Sequence, residues 1–237
     1  TFDFTNIPVG GRVVLALVVC IVLCTVFTSI AGFFTAKFKM HPFISTMANM
    51  LVIFGIVTYA TKGVSFGAIE PVIPNMIIPK VNGFPTIIIW AVAAIAIVWF
   101  IWNKTTFGKN MFAVGSNPEA ANVSGVNVAK TIILVHTLAG AMYAITGFIE
   151  SARIGSNQAG TGLNYECDAI AACVIGGVSF VGGTGKIRGV VMGVFILRII
   201  FVALQFLAIN QSLQYVIKGL IILVACAIDM RKYLVRK

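Results

Sequence analysis

Residues 102–130, with the sequence WNKTTFGKNMFAVGSNPEAANVSGVNVAK, are the only long polar run in a chain that is 59% hydrophobic. One apolar segment ends just before this run and another begins just after it. The run contains three lysines, Lys104, Lys109 and Lys130, and a single acid, Glu119. Because its two flanks have the composition of membrane-spanning helices, we predict that the run is an ordered element at one face of a membrane.

The centre of the polar run has the start and stop signals of a short helix. Asn117 is a preferred N-cap residue, Pro118 suits the first helical position, and Glu119 places an anion in the first turn, where the helix dipole favours it. Small residues complete the pattern: Ala120 and Ala121 continue the helix, and Gly125 can end it. The sequence therefore predicts a short helix here, and an ordinary connector with one helical turn is the alternative.

The composition of the whole chain predicts an all-α protein that crosses the membrane several times. Its mean hydropathy is +1.01 and 10% of its residues are charged, whereas a soluble domain has about 25% charged residues. The net charge of +10 follows from the collection of Lys and Arg on the cytoplasmic side of membrane proteins. No segment combines aromatic and basic residues in a way that would bind a nucleic-acid strand. We therefore expect residues 1–237 to form a single transmembrane domain. Its surroundings are the lipid bilayer, and we expect no nucleic-acid partner.

Seven apolar segments can be drawn along the chain, and most approach the ~20 residues that cross ~30 Å of hydrocarbon. They are residues 12–36, 43–61, 85–101, 131–151, 169–181, 190–207 and 213–230. The fifth segment, 169–181, is short. It is either a full crossing or a re-entrant piece that returns to the same side of the membrane.

The distribution of basic residues distinguishes these two topologies. If 169–181 crosses, eleven Lys and Arg residues, including those of the tail 231–237, lie on one side and four lie on the other. If it re-enters, the basic tail moves to the poorly basic side. The positive-inside rule favours the crossing, which places the loop 103–130 and the C-terminus in the cytoplasm. The chain begins at Thr1 without a signal peptide, so we expect further spans upstream.

The glycine-rich stretch GGVSFVGGTGKIRG, residues 176–189, resembles a phosphate-binding loop but lacks its defining positions. Phe180 stands where that loop needs glycine, and Ile187 stands where it needs Ser or Thr. His41 and His136 have no second ligand or catalytic partner at a suitable spacing, and the five cysteines show no metal or disulfide pattern. We therefore expect no catalytic residue, metal site or cofactor in this chain. The glycines indicate close helix approach or an unwound segment.

Two cations lie within apolar segments, where a charge at mid-membrane costs about 2.5–3.5 kcal/mol on insertion scales. Lys218 is near the outer end of its segment and can extend to the interface. Arg198 is nearer the middle, so we predict that it is buried, faces the protein interior and meets a carbonyl or an acid. Such a pair is either functional or only structural, and a helix end that lies closer to Arg198 than the drawn boundary is the other alternative.

Two motifs resemble those of a known family. The run WNKTTFGKNMFAVGSNPEAANVSGVNV at 102–128 and the run DAIAACVIGGVSFVGG at 168–183 are similar to segments of the permease subunit of bacterial ATP-binding-cassette sugar importers. This is the family of the ribose, arabinose and galactose permeases. The resemblance covers nearly all of the chain and is strongest to the branch that carries galactose and methyl galactoside. Members of the family have additional N-terminal spans, which agrees with the absence of an initial Met.

The resemblance implies a multi-pass permease in the bacterial inner membrane that imports a monosaccharide and has no catalytic site of its own. Its implied partners are a second copy of the permease, a periplasmic sugar-binding protein, and an ATPase subunit that binds ATP–Mg. The motif GSNPEAANVSG matches the cytoplasmic loop that docks on the ATPase subunit. The resemblance assigns this coupling role to Gly115, Asn117, Pro118, Glu119, Ala120, Ala121, Ser124 and Gly125.

Polar side chains at the start of the second apolar segment are candidates for the sugar path. Ser45, Thr46 and Asn49 can hydrogen-bond a sugar, and Ser45 and Asn49 share one face of a helix. Hydrogen bonding between neighbouring helices is the alternative role of these side chains.

Other functions remain open on the sequence. They are a permease of the same superfamily for another solute, such as a branched-chain amino acid, an ion-coupled secondary transporter, and a membrane scaffold that transports nothing. Ion coupling needs a buried acid within a span, and none of the seven acids has a clear mid-span position.

Overall fold

The structure is a computed structural model, and it describes residues 8–65, 69, 72–81 and 84–234. This part of the chain contains ten α-helices and one short antiparallel ribbon. The helices are α1 (Val9–Phe38), α2 (Pro42–Thr61), α3 (Val72–Ile77), α4 (Ile87–Lys104), α5 (Thr106–Ser116), α6 (Pro118–Val123), α7 (Val128–Ile154), α8 (Tyr165–Ile175), α9 (Ile187–Phe206) and α10 (Gln211–Leu234). The ribbon pairs β1 (Lys80–Val81) with β2 (Phe84–Pro85). The helical class that the sequence predicts is confirmed.

Within the described ranges, six helices are long and apolar enough to cross a membrane. They are α1, α2, α4, α7, α9 and α10, and each overlaps a predicted segment. The remaining segment, 169–181, differs because α8 has only 11 residues. Its length is therefore about 16 Å, roughly half of the hydrocarbon thickness. The helix stops at two glycines, Gly176 and Gly177, of which Gly177 has a left-handed φ of +81° that costs a glycine little.

The contacts divide the chain into two compact units. The first contains the described residues of Thr1–Ile97 and Asn127–Thr161, and the second contains those of Val98–Val126 and Gly162–Lys237. Most of the polar run 102–130 therefore belongs to the second unit, together with α8, α9 and α10.

In the first unit, α1 and α7 pack with their backbones close together. A Cβ atom placed on Gly140 of α7 would overlap Thr28 Oγ1 and lie 2.8 Å from the Cys24 carbonyl oxygen of α1. One placed on Gly32 of α1 would lie 2.8 Å from the Cβ of His136. Helices in lipid gain no hydrophobic energy by associating, so small residues stabilise the pair by allowing close van der Waals contact. His136 packs within this contact, as expected of a structural residue.

Side-chain hydrogen bonds also join helices of the first unit. Ser29 Oγ on α1 and Thr137 Oγ1 on α7 are 2.7 Å apart. The buried Ser45 Oγ on α2 donates to the Ala31 carbonyl oxygen on α1 at 2.9 Å. These bonds set the register of α1 against α2 and α7, because each requires one particular pair of positions to be opposite.

In the second unit, α8 packs on α9 and α10. Ala171 and Ala172 of α8 are buried against Leu197 of α9. A Cβ atom placed on Gly193 of α9 would overlap the Ala172 carbonyl oxygen. Partly buried apolar residues surround this small core: Ile175, Phe201, Ile221 and Ile222. The short helix α8 is thus stabilised by the close approach of its backbone to that of α9.

The contact between α1 and α7 predicts different effects for two glycines on α7. Gly140→Ala inserts a methyl group where no space exists, and we expect a loss of about 1–3 kcal/mol of stability, as for other overpacked sites. Gly147→Ala is the matched control, because nothing lies within 4 Å of a Cβ atom placed there. The midpoint of thermal unfolding in detergent should fall for the first variant and stay level or rise for the second. Equal midpoints would contradict the close packing.

Candidate functional site

The polar run folds into two consecutive helices, α5 and α6, rather than a loop with one helical turn. Thr105 caps α5, and its Oγ1 accepts a hydrogen bond from the Gly108 N–H at 3.1 Å. Asn117 ends α5 and caps α6. The sequence predicts α6 correctly and misses α5, although Thr105 supplied the N-cap signal for it.

The ends of α6 confirm the predicted capping pattern. Asn117 Oδ1 accepts hydrogen bonds from the N–H groups of Glu119 at 2.9 Å and Ala120 at 3.0 Å. At the other end, Gly125 has a left-handed φ of +85°, and its N–H donates to the Asn122 carbonyl oxygen at 3.0 Å. Both ends of this six-residue helix are therefore closed by hydrogen bonds, which is what keeps so short a helix ordered.

Most residues of α6 are exposed and have small or polar side chains. Val123 is 90% exposed, whereas Ala121 is only 4% exposed. The other polar and small residues around the helix are exposed: Pro118, Glu119, Ala120, Asn122 and Ser124. Ala121 therefore packs inward. Of the two alanines, only Ala120 contributes to the exposed surface of α6. The exposed Val123 is a feature that sequence reasoning missed.

The C-terminal end of α5, next to α6 in sequence, contacts a glycine-rich loop. A Cβ atom placed on Gly115, at the end of α5, would lie 2.9 Å from the Gly183 nitrogen, and one placed on Gly182 would lie 2.6 Å from the Gly115 carbonyl oxygen. One placed on Gly183 would lie 2.7 Å from the Cα of Ser116. At Gly115 and Gly182 the main chains of α5 and the loop are thus in direct contact, with no side chain between them. Gly182 and Gly183 also have positive φ values of +107° and +71°, which favour glycine.

The same loop is held on its other side by α10. Asp229 Oδ2 accepts hydrogen bonds from the Phe180 N–H at 2.9 Å and from Ser179 Oγ at 3.3 Å. Asp229 is only 9% exposed. A carboxylate with so little access to water is stabilised by donors of this kind, since an unpaired buried charge is costly.

The structure gives Lys218 an acidic partner and places Arg198 at the surface. That Lys218 extends to the interface stays a prediction, and its Nζ lies 2.6 Å from Asp168 Oδ1. It also lies 5.1 Å from the ring centre of Phe201 and 5.6 Å from that of Tyr215. Arg198 was expected to be buried, yet it is exposed. Leu197, its neighbour in sequence, occupies the buried side of α9, so the helical turn of ~100° per residue carries Arg198 out of the core.

The residues proposed for the sugar path are spread between buried and exposed positions. Ser45 is 5% exposed, and its hydroxyl donates to the Ala31 carbonyl oxygen of the neighbouring helix α1. This is the interhelical hydrogen bonding given above as the alternative role. Thr46 is exposed and its Oγ1 donates within its own helix, to the Pro42 carbonyl oxygen at 3.0 Å. Asn49 is half-buried. A role for these three in a sugar path stays a prediction.

The described residues contain no group of three or more His, Cys, Asp or Glu side chains that would hold a metal ion. The five cysteines are free thiols. The organised features of the second unit are therefore the protruding helix α6, the glycine contact at its base and the Asp229 anchor.

The six long apolar helices, with a polar run between two of them, define a multi-pass helical membrane protein. Residues 4–226 match the family model for the branched-chain amino acid transport system / permease component, and the chain belongs to this family of permeases.

Several curated proteins of the family are similar to the chain. It is 47% identical over 245 residues to the galactose/methyl galactoside import permease protein MglC of Treponema pallidum, which covers 100% of this chain and 46% of the relative. It is 42% identical over 240 residues to MglC of Escherichia coli, covering 97% and 71% of the two chains. It is 39% identical over 201 residues to the L-arabinose transport system permease protein AraH of Escherichia coli, covering 85% and 61%. No solved structure matches the chain significantly.

The chain spans about half the length of the Treponema pallidum relative and seven-tenths of the Escherichia coli galactoside relative. The family membership and the six apolar helices together establish a multi-pass membrane protein of the permease family.

The N-cap of α6 gives a prediction about local order. Asn117→Ala removes the acceptor for two main-chain N–H groups, which costs about 0.5–2 kcal/mol of helix stability. Hydrogen–deuterium exchange should accelerate at Glu119 and Ala120, whose amides lose their acceptor. Asn122→Ala changes an exposed side chain of the same type and is the control. Unchanged exchange in the Asn117 variant would show that the cap does not hold α6.

The Lys218–Asp168 ion pair predicts that Lys218 contributes more to stability than the exposed Arg198. Lys218→Ala leaves Asp168 without its partner, and we expect a loss of roughly 1.5 kcal/mol, at the lower end of the range for charged hydrogen bonds, because Asp168 is 38% exposed. Arg198→Ala should cost less. The measurement is the unfolding midpoint in detergent, and Lys218→Asp combined with Asp168→Lys should recover part of the loss. A larger loss of stability in Arg198→Ala than in Lys218→Ala would contradict this prediction.

Proposed function

We propose that this chain is the permease subunit of an ATP-driven importer that moves a monosaccharide of the galactose or methyl-galactoside type across the bacterial inner membrane. The support is the 42–47% identity to MglC proteins over nearly the whole chain. The ATPase subunit binds ATP–Mg and performs the hydrolysis, while this chain contributes no catalytic residue. ATP-driven movement in the partner changes the balance between two arrangements of the permease.

A sugar is favoured over an amino acid as the solute. The family description names branched-chain amino acids, but the similar permeases are named for galactose, arabinose or ribose. Identity falls from 47% for a galactoside permease to 39% for an arabinose permease and 36% for a ribose permease. Uptake of a panel of labelled sugars and of leucine, by cells that carry the complete importer, separates these solutes.

The helix α6 is the proposed docking element for the ATPase subunit. A coupling element must keep its shape under load, and α6 is closed at both ends by hydrogen bonds. It must also offer a surface that fits a groove, and Val123, Ala120 and Glu119 are exposed on it. Burial of the exposed Val123 side chain against a partner would contribute about 1.5–3 kcal/mol to docking.

The remaining partners follow from the same proposal. A second copy of the permease completes the membrane channel, and a periplasmic sugar-binding protein delivers the solute on the outer side. The distribution of Lys and Arg supports a cytoplasmic C-terminus and a cytoplasmic α6. The ATPase subunit and the binding protein thus act on opposite faces of the membrane, and rigid-body movement of the spans connects them.

Ion-coupled secondary transport is the less supported alternative. Proton or sodium coupling needs an acid within a span that binds the ion. In the described part of the chain, Asp168 pairs with Lys218, Asp229 accepts main-chain and hydroxyl donors, and Glu150 pairs with Arg153. Glu119 lies on α6. These four acids have structural partners or surface positions rather than ion-binding ones, and the remaining acid of the described residues, Glu166, lies in the first turn of α8.

The docking surface is tested by substitutions on α6 in the complete importer. Val123→Asp places a charge at the proposed anchor and Glu119→Arg reverses the charge beside it. We expect each to lower sugar uptake about tenfold or more, which corresponds to the loss of a binding hot spot, while the permease still inserts. Uptake and the amount of co-purified ATPase subunit are both measured.

The matched control is Val64→Asp, because Val64 is also strongly exposed, at 65%, but lies after α2 and away from the motif. It should leave uptake and co-purification unchanged. If the α6 variants also retain normal uptake, α6 is not the docking element.

A further inference from the structure

Three elements of the second unit meet at the base of α6. They are the end of α5, the end of α10 and the loop 177–186, which joins α8 to α9 and is named the glycine loop below. Gly115 and Ser116 of α5 contact Gly182 and Gly183 of this loop. Asp229 of α10 binds the loop from its other side. The proposed docking helix is therefore one residue, Asn117, away from a contact that leads directly to α10.

The glycine loop is braced by its own hydrogen bonds. The Ser179 N–H donates to the Thr184 carbonyl oxygen at 3.1 Å, and the Gly182 N–H donates to the Ser179 carbonyl oxygen at 3.3 Å. The Val181 N–H donates to Ser179 Oγ at 3.1 Å. Because these bonds close the loop on itself, a force applied at Gly182 reaches Ser179 without passing through freely rotating chain.

Asp229 connects this braced loop to α10 through two bonds of different kinds. One is to the Phe180 N–H and the other to Ser179 Oγ, at 2.9 and 3.3 Å. Bonds from neutral donors to an ionised carboxylate are about twice as strong as bonds between neutral groups. The low exposure of Asp229 protects them from competition with water. The loop and the end of α10 are thus held together.

The contact on the α5 side is made by main-chain atoms and by the short side chain of Ser116, without a long side chain that could change rotamer. A Cβ atom on Gly115, Gly182 or Gly183 would come within 3.0 Å of main-chain or Ser116 atoms. Close-packed backbones move as a unit, whereas an interface of long side chains can absorb a displacement by rotamer changes. A displacement of α5 must therefore displace the glycine loop.

We propose that Asp229 and the glycine loop form a rigid connection that transmits movement of α6 to α8, α9 and α10. Asp229 is a positioning residue in this scheme, since it acts by holding the loop against α5 and touches neither sugar nor nucleotide. The inference rests on the proposed docking of the ATPase subunit at α6. It adds that the load enters the spans through the glycine loop as well as along α4, the helix that precedes α5 in sequence.

The test uses the complete importer in liposomes, with the ATPase subunit and the sugar-binding protein. The measured quantity is sugar transported per ATP hydrolysed. Asp229→Asn removes the charge while preserving shape, and we expect the ratio to fall threefold or more with the ATPase subunit still bound. Asp229→Glu keeps the charge and should recover part of the ratio. A purely structural role predicts lower yield or a lower unfolding midpoint, with an unchanged ratio in the complexes that remain.

Two further variants keep the test decisive if Asp229→Asn fails to assemble. Ser179→Ala removes one of the two bonds to Asp229, together with the Val181 N–H bond to Ser179 Oγ inside the loop, and retains the Phe180 N–H bond to Asp229. We therefore expect a smaller fall in the ratio. Gly115→Ala should lower the ratio by separating α5 from the loop, whereas the helical control Gly147→Ala, with open space around it, should not. Unchanged ratios in the Ser179 and Gly115 variants would overturn the inference. Absence of sugar transport by the unmodified importer would instead overturn the proposed function.

Discussion

The structure depends on main chains that approach one another at glycine and alanine. In hydrocarbon, two apolar helices gain nothing by excluding water from between them, so association relies on close contact and on hydrogen bonds. The pair α1–α7 meets at Gly32 and Gly140, and α8–α9 meets at Ala172 and Gly193. The contact between α5 and the glycine loop is built in the same way outside the apolar helices. Close packing of this kind allows two discrete arrangements more readily than continuous deformation, which suits a transport protein.

How much was predictable follows from the range of the interactions involved. The helix α6 was predicted to the residue at its cap, because the signals for it lie within nine consecutive residues, Asn117 to Gly125. The six spans were predicted because hydropathy is a property of each segment alone. The end of α8 was predictable only in part. The glycines after Ile175 were visible, but the length of the apolar run suggested that the helix continues to Val181.

The features that sequence reasoning missed depend on residues distant in the chain. The partner of Asp229 is a loop 49 residues earlier, and the partner of Lys218 is Asp168, from a different helix. Arg198 was expected inside because a charge in an apolar segment needs a partner. Its direction is set instead by Gly193 and Leu197, which turn their side of α9 toward α8. Periodicity indicates that a helix has a packed side, but the identity of that side is settled only by the neighbouring helix.

The division of labour in the proposed importer explains why no reactive site is needed in this chain. A permease must respond to its partners rather than bind tightly to a substrate, and its informative residues are those that keep a short helix rigid and connect it to the spans. Asn117 does the first by satisfying two N–H groups that a six-residue helix cannot satisfy internally. Asp229 does the second by satisfying two donors of a loop that has no regular secondary structure. In both places one polar side chain replaces hydrogen bonds that a longer helix would provide by itself, and the chain remains stiff where the proposed load passes.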